Sequence, residues 1–404
     1  MNIAMVSEHA SPLAVLGGVD AGGQNVHVAE LSAALVAAGH RVTVFTRRED
    51  PLVPRRVVMP SGVAVVHVDA GPPRYISKDE LLPHMDAFAE FLGRAFARLA
   101  PDIVHAHFWM SARAALAAAK PLGIPMVQTF HALGSEKRRM QGPGDTSPAE
   151  RLAEELRIVQ AADRIIATSS SEIFELCRLG AEPWRLKIVP CGVDVALFDR
   201  ARDVMALPRR RTHRIVTLSR LVERKGVGDV IAALRDVPDT ELIVAGGPTP
   251  AALGSDAAVE RLATHARACG VADRVTLLGR VARHEIPQLL RAADVVVCAA
   301  WYEPFGIVPL EAMAAGVPVV ATAVGGQNDT VIDRFTGLHV PPREPRAIAA
   351  ALRELLADPA LRARLGAAGR HRIEGRFTWE RVASESVKVY RGIASRSDAV
   401  SHTA

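Results

Sequence analysis

Short runs of β-branched and aliphatic residues alternate with alanine-rich stretches of helical periodicity along nearly the whole chain. In the first half, residues 2–6, 41–45, 63–67, 103–106, 125–129 and 164–167 predict strands. Helices are predicted between them over 24–38, 78–99, 111–120 and 147–161. The second half repeats the scheme, with strands over 214–219, 241–245, 274–277, 295–298 and 318–321. Its helices are predicted over 228–235, 257–269, 285–292, 307–315 and 346–356. Strands that are almost entirely apolar and alternate with helices imply parallel sheets covered on both faces. The expectation is an α/β chain of two doubly wound Rossmann-like domains, 1–190 and 191–376, facing across a cleft. A helical stretch over 377–395 with no strand after it is expected to pack back on the first domain, and residues 397–404 read as a frayed end. In such folds ligands bind outside the carboxyl ends of the strands.

Composition narrows the function classes. Aromatic residues are only 4% of the 404, which argues against a base-stacking nucleic-acid surface. The net charge of +5 has no concentrated block beyond 208–212, which reads as a solvated linker. The four cysteines have no CxxC spacing, which argues against a zinc site or a disulfide scaffold and for a reducing compartment. No apolar run approaches the ~20 residues of a membrane helix, and no basic, apolar leader opens the chain. The expected location is the cytoplasm.

Four stretches carry chemistry. The first is Gly17-Gly18-Val19-Asp20-Ala21-Gly22-Gly23-Gln24-Asn25, between the first strand and a helix. Glycines admit close approach, and the helix start favours an anion. The pattern is neither GxGxxG nor a Walker loop. The second, Ser219-Arg220-Leu221-Val222-Glu223-Arg224-Lys225-Gly226, leaves a strand and offers a guanidinium fork and an ammonium to phosphate oxygens. The third is WYEPFGIVPLEAMAAG over 301–316. Glu303 precedes a helix and Glu311 lies about two turns into it, at most roughly 12 Å away along an ideal axis. That exceeds the ~5–5.5 Å of a retaining glycosidase pair. The spacing instead suits hydroxyl acceptors on either side of an anionic centre, as in a nucleotide-diphosphate sugar. Glu303 would then face the hexose and Glu311 the ribose. The fourth group is histidine at strand ends: His9, the alternating His105 and His107, and His131. A zinc reading of the alternating His105 and His107 lacks a third ligand.

Together these elements resemble the family-4 retaining glycosyltransferases of GT-B fold. The resemblance covers nearly the whole chain and rests on EPFGIVPLEAMAAGVPVVA, SRLVERKG, PCGVD and VGGQNDTV in order. The stretch SEHASPLAVLGGVDAGGQNVHVAELSAAL is similar to two branches, the inositol-phosphate N-acetylglucosaminyltransferases of mycothiol synthesis and the sucrose-phosphate synthases. The resemblance implies a hexose transferred from a UDP- or GDP-linked donor to a small-molecule or glycan acceptor. Donor contacts would come from Gly22, Gly23, Arg280, Val281, Phe305, Gly306, Ile307 and Glu311. Arg220, Lys225, Glu303 and His131 would act at the reaction centre, with His131 near the 6-position of the hexose. His9, Asn25, Lys78 and Arg151 would face the acceptor. Phe108 and Ala132 replace two hydroxyl-bearing positions of the mycothiol-type pattern, which removes two donors to an inositol phosphate; Lys78 and Arg151 keep a phosphorylated or otherwise polar acceptor open. No cofactor is implied, any magnesium being dispensable. Nucleic acid is not an expected partner, a membrane is one only if the acceptor is a lipid, and a homodimer is compatible. The competing readings are an epimerase or hydrolase of nucleotide sugars, and a non-catalytic binder of them.

Overall fold

The computed structural model describes residues 1–14, 22–200 and 203–401, with side chains to Ile393. Residues 17–21 of the glycine-rich stretch and 402–404 of the predicted frayed end lie outside the described residues. The described residues divide into two compact units, one of 1–14, 22–190 and Trp379 onward, the other within Cys191–Thr378.

The first unit is built on eight strands: β1 (Asn2–Val6), β2 (Arg41–Arg47), β3 (Arg56–Val58), β4 (Ala64–Val68), β5 (Ile103–His107), β6 (Met126–Thr129), β7 (Arg164–Ala167) and β8 (Leu186–Ile188). Their order is β3-β4-β2-β1-β5-β6-β7-β8. Every residue of β1 is buried, because both faces of the sheet are covered. On one face the helices Met85–Leu99 and Trp109–Ala119 pack through Phe88, Leu92, Phe96 and a run of alanines. On the other, Gly23–Ala37 shares a core with the terminal helix Trp379–Ser401, through Val28, Leu31, Trp379 and Tyr390. The terminal helix therefore belongs to the first unit although it follows the second in sequence.

The second unit holds six parallel strands: β9 (His213–Leu218), β10 (Thr240–Ala245), β11 (Val275–Gly279), β12 (Val295–Cys298), β13 (Val319–Thr322) and β14 (Gly337–Val340). Their order is β11-β10-β9-β12-β13-β14. Among the parallel strands of each sheet the order reverses once, at β1/β5 in the first and β9/β12 in the second. Those reversals leave open crevices beyond the strand ends.

Several elements differ from expectation. β3 is antiparallel to β4, the one departure from parallel pairing. It is a short hairpin arm closed by Gly62, whose φ of +86° suits glycine. The helix expected over 78–99 begins as two 3-10 turns, Lys78–Glu80 and Leu82–His84. Pro83 lacks an N–H and disfavours helical backbone just before it, so the α-helix starts at Met85. Strands β8 and β14 and the helices Gly134–Gln141, Ser170–Arg178, Val195–Arg200, Gln327–Thr330 and Pro359–Arg376 have no counterpart in the sequence reading. Gly134–Gln141, GSEKRRMQ, shows why: it has almost no apolar periodicity to signal it.

Candidate active site

In the second unit two loops meet at the β9/β12 reversal. One leaves β9 and carries Arg220 and Lys225; the other leaves β12 and carries Trp301 to Gly306. Lys225 Nζ pairs with the Glu303 carboxylate, and both side chains are mostly buried. The backbones are tied as well. Trp301 N–H donates to the Arg224 carbonyl (2.8 Å), and the Trp301 indole N–H donates to Asp229 (2.6 Å). Gly226 can end the Lys225 turn only as glycine: its φ is +67°, and a Cβ there would lie 2.0 Å from the Ala299 carbonyl oxygen. Arg220, half-buried, sits on the same loop.

The Glu303 loop is seated on Gly325-Gly326. Gly326 N–H donates to the Glu303 carbonyl (2.8 Å), and a Cβ on Gly325 would lie 2.3 Å from that same oxygen. The VGGQ stretch thus sets the height of the Glu303 loop, a role its paired glycines could have signalled. Burial pushes the Glu303 carboxyl up, but Lys225, Arg224 and the Gly306 N–H outweigh it and hold Glu303 below the usual carboxylate range. Gly306, left-handed at φ +74°, begins the helix Ile307–Ala314. Phe305 and Ile307 pack on the core at that point.

Glu311 is buried on this helix, with Arg283 facing it at 4.0 Å. Burial lifts its pKa to about 7, Arg283 opposing. The Cys298 thiol ends β12 and is raised by burial and then by the Glu303 carboxylate, Lys225 opposing and Glu311 adding to the rise. One buried sulfur therefore senses all three charged groups, which gathers them around the end of β12. Arg280 and Val281 follow β11, separated from β9 by β10; the Arg280 N–H is bound by the Pro248 carbonyl (2.7 Å). Among the described residues no group of three His, Cys, Asp or Glu side chains is arranged to hold a metal.

The Glu311 shift has a checkable sign. A carboxyl whose folded pKa is about 7 against an ordinary 4.5 adds stability below pH 4.5 that is lost as pH rises through 7. Glu311→Gln is therefore expected to match the wild type near pH 4.5 and to exceed it by about 3 kcal/mol at pH 8. Melting curves at the two pH values check this.

The first unit has its own polar cluster at the β1/β5 reversal. His9 follows β1, and its ring meets the Phe108 ring, which follows β5, edge-on at 4.9 Å. Phe108 and His131 both hold positive φ, +79° and +64°, at the ends of adjacent strands. Non-glycine residues are strained there, and such strain persists only where surroundings enforce it. His131 Nε2 and His107 Nδ1 are 2.9 Å apart, and His27 lies edge-on to His131. His105 bridges Tyr390 Oη (2.7 Å) and Thr129 Oγ1 (2.9 Å). Burial drives all four imidazoles down, His27 to about 4, His105 to about 3, and His107 and His131 well below their ordinary value.

The remaining candidates of the first unit, Gly22 on the donor side and Asn25, Lys78 and Arg151 on the acceptor side, divide. Gly22 caps the helix Gly23–Ala37 and has open space where a Cβ would stand. Asn25 is already engaged: it accepts from Gly22 N–H (2.9 Å) and donates to the Ser11 carbonyl (3.0 Å). Arg151 is likewise an internal guanidinium, bound to Glu155 (2.8 Å), Ser147 (3.1 Å) and the Ala132 carbonyl (2.5 Å), with its charge over the Phe108 ring at 5.0 Å. Both serve to fix loops in this structure, because a buried polar group must find partners. Lys78 is half-buried in the first 3-10 turn. Glu8 and Ser111, absent from the sequence reading, join His9 in a buried network.

Comparison with known proteins places this geometry. Residues 206–372 match the family described as glycosyl transferases group 1, and residues 21–197 match Glycosyltransferase Family 4. The chain is 37% identical to a D-inositol 3-phosphate glycosyltransferase of Xylanimonas cellulosilytica, over 98% of each chain. It is 38% identical to the protein of that name from Kineococcus radiotolerans, over 96% of this chain and 94% of that one. Among solved structures, the sucrose-phosphate synthase of Thermosynechococcus elongatus superposes with a TM-score of 0.88 at 33% identity, over 98% of this chain and 99% of that one. With both loop systems at the strand-order reversals and both halves matched, the chain belongs to the family-4 glycosyltransferases of GT-B fold.

Proposed function

We propose that the chain moves a hexose, with retention, from a nucleotide-diphosphate sugar to a hydroxyl of a polar acceptor. The observation that carries this reading is the Lys225–Glu303 pair straddling the β9/β12 reversal, with Glu311 buried on the helix that follows. Lys225 and Arg220 neutralise the departing diphosphate, and no metal is required. Glu311 accepts from the ribose and Glu303 from the hexose. The bond from the anomeric carbon to the phosphate oxygen breaks as the bond to the acceptor oxygen forms. The acceptor proton passes to the leaving phosphate on the same face. Stabilisation of that leaving charge by groups already in place is the main catalytic term.

Phe108 and Ala132 present no hydroxyl to an acceptor phosphate, so the acceptor is read as a polyol or sugar rather than an inositol phosphate. Among the described residues no helix is long and apolar enough to cross a membrane. Cys177, Cys269 and Cys298 are unbridged thiols, Cys177 exposed, which supports a reducing, cytoplasmic setting.

A thermal-shift panel of UDP-, GDP- and ADP-linked glucose and N-acetylglucosamine tests the donor assignment. The matching donor at a hundred times its Kd is expected to add about 2.7 kcal/mol of stability. Proton NMR of the product then reads the anomeric configuration. A panel in which no sugar nucleotide or free nucleoside diphosphate raises the melting point would sink the reading, and an inverted product would sink retention.

A further inference from the structure

We propose that Glu8 is a positioning residue that fixes His9 with its proton on Nδ1, so that Nε2 offers a lone pair to a hydroxyl of the acceptor. The inference rests on the transfer reading above and adds the group that orients the acceptor.

Glu8 is fully buried directly after β1. One carboxylate oxygen lies 2.7 Å from His9 Nδ1, and the other accepts from the Ser111 hydroxyl. Ser111 in turn accepts from the Glu8 backbone N–H at 2.9 Å. With both oxygens of the carboxylate acting as acceptors, His9 Nδ1 has to be the donor. The other ring nitrogen, Nε2, has no hydrogen-bond partner among the described residues. The ring itself is held from the side by Phe108, whose backbone is fixed at a positive φ. The location is independent support. His9 and Phe108 bridge the strand-order reversal of the first sheet, where open α/β sheets take their ligands. A buried carboxylate on the far nitrogen of an imidazole is a device for choosing which nitrogen faces the ligand. A hydroxyl, which can donate, is the group such a nitrogen recognises.

Glu8→Gln tests this. Its shape is conserved, but an amide can turn either its oxygen or its NH₂ toward His9 Nδ1, so the tautomer is no longer pinned. Long-range ¹⁵N–¹H correlation of the ring nitrogens, with His9 identified by loss of its signals in His9→Asn, is expected to show one Nδ1–H tautomer in the wild type and a mixture in Glu8→Gln. With a turned-over sugar nucleotide as donor, and myo-inositol, glucose and D-inositol 3-phosphate as acceptor probes, the acceptor KM is expected to rise about tenfold. Donor KM and melting point are expected to stay unchanged. If Glu8→Gln folds poorly, Glu8→Asp, whose shorter side chain withdraws the carboxylate from His9 Nδ1, should shift the same two readouts in the same direction. A proton on Nε2 in the wild-type protein overturns the proposal. So does a Glu8→Gln effect shared equally by donor KM, acceptor KM and stability, which is what a merely structural residue would give. If no sugar nucleotide is turned over at all, the transfer reading fails, while the tautomer measurement still decides the Glu8–His9 assignment.

Discussion

Lys225→Ala is expected to lower the transfer rate by about 10²–10³-fold, the usual cost of removing one preorganised group that stabilises developing charge. The loss should fall on kcat more than on donor KM, because the diphosphate gains negative charge only as the sugar departs. The variant also strands a carboxylate. Glu303 is held below its ordinary range chiefly by Lys225, and without it burial and the remaining partners, Arg224 and the Gly306 N–H, set its charge. A moderate fall in melting point is therefore expected, with Glu303 taking up a proton more readily. Adding Glu303→Gln should recover that stability but not the rate. Steady-state kinetics and melting curves on the single and double variants check the two halves separately. A Lys225→Ala enzyme with normal turnover would contradict the role.

The second large effect is acid unfolding of the first unit. His27, His105, His107 and His131 are neutral when folded, with pKa values driven below the ordinary 6.5 by burial. Groups depressed in this way contribute stability that is present above pH 6.5 and lost as pH falls toward the folded values, near 4 for His27 and 3 for His105. Between pH 6.5 and 4.5 the loss is partly offset. Glu172, in the same unit, has a folded pKa of about 7, raised by burial, and favours the folded state as pH falls. That offset fades toward pH 4.5, and between pH 5.5 and 4.5, before His27 protonates in the folded chain, the four imidazoles approach a slope of about 5 kcal/mol per pH unit. Urea titrations at pH 7, 5.5 and 4.5 should show a gentle decline followed by a steep one. His27→Leu should flatten the steep part by about 1.4 kcal/mol per pH unit, one proton's worth. A stability that is level from pH 7 to 4 would show that the imidazoles are protonated in the folded chain.

The arrangement of His27, His107 and His131 also connects the strand ends to the terminal helix. His27 lies edge-on to Trp379, and His105 bonds Tyr390, so the helix that closes the first unit touches the same cluster as the site histidine. The packing that secures Trp379–Ser401 and the packing that sets His131 are one core.

Some of this was legible in the residues alone. β-branched runs alternating with helical stretches are enough to specify buried parallel strands, and β1, β7 and β12 begin and end where the apolar runs do. The placement of Arg220, Lys225, Glu303 and Glu311 on or beside loops leaving strands also follows from local pattern, because turns and helix starts are short-range features. What local pattern does not contain is which strands become neighbours. Lys225 and Glu303 are 78 positions apart, and only the insertion of β12 beside β9 makes them an ion pair. His9 and Phe108 meet for the same reason, through β1 and β5. Burial is equally a property of the assembled fold: nothing in the letters around Glu311 states that its carboxyl titrates near 7, or that Arg151 and Asn25 have already spent their hydrogen bonds within the chain. Sequence by itself determined the elements and the chemistry on their ends; the tertiary structure decided the pairing and the dielectric surroundings, since both depend on contacts between residues far apart in the chain.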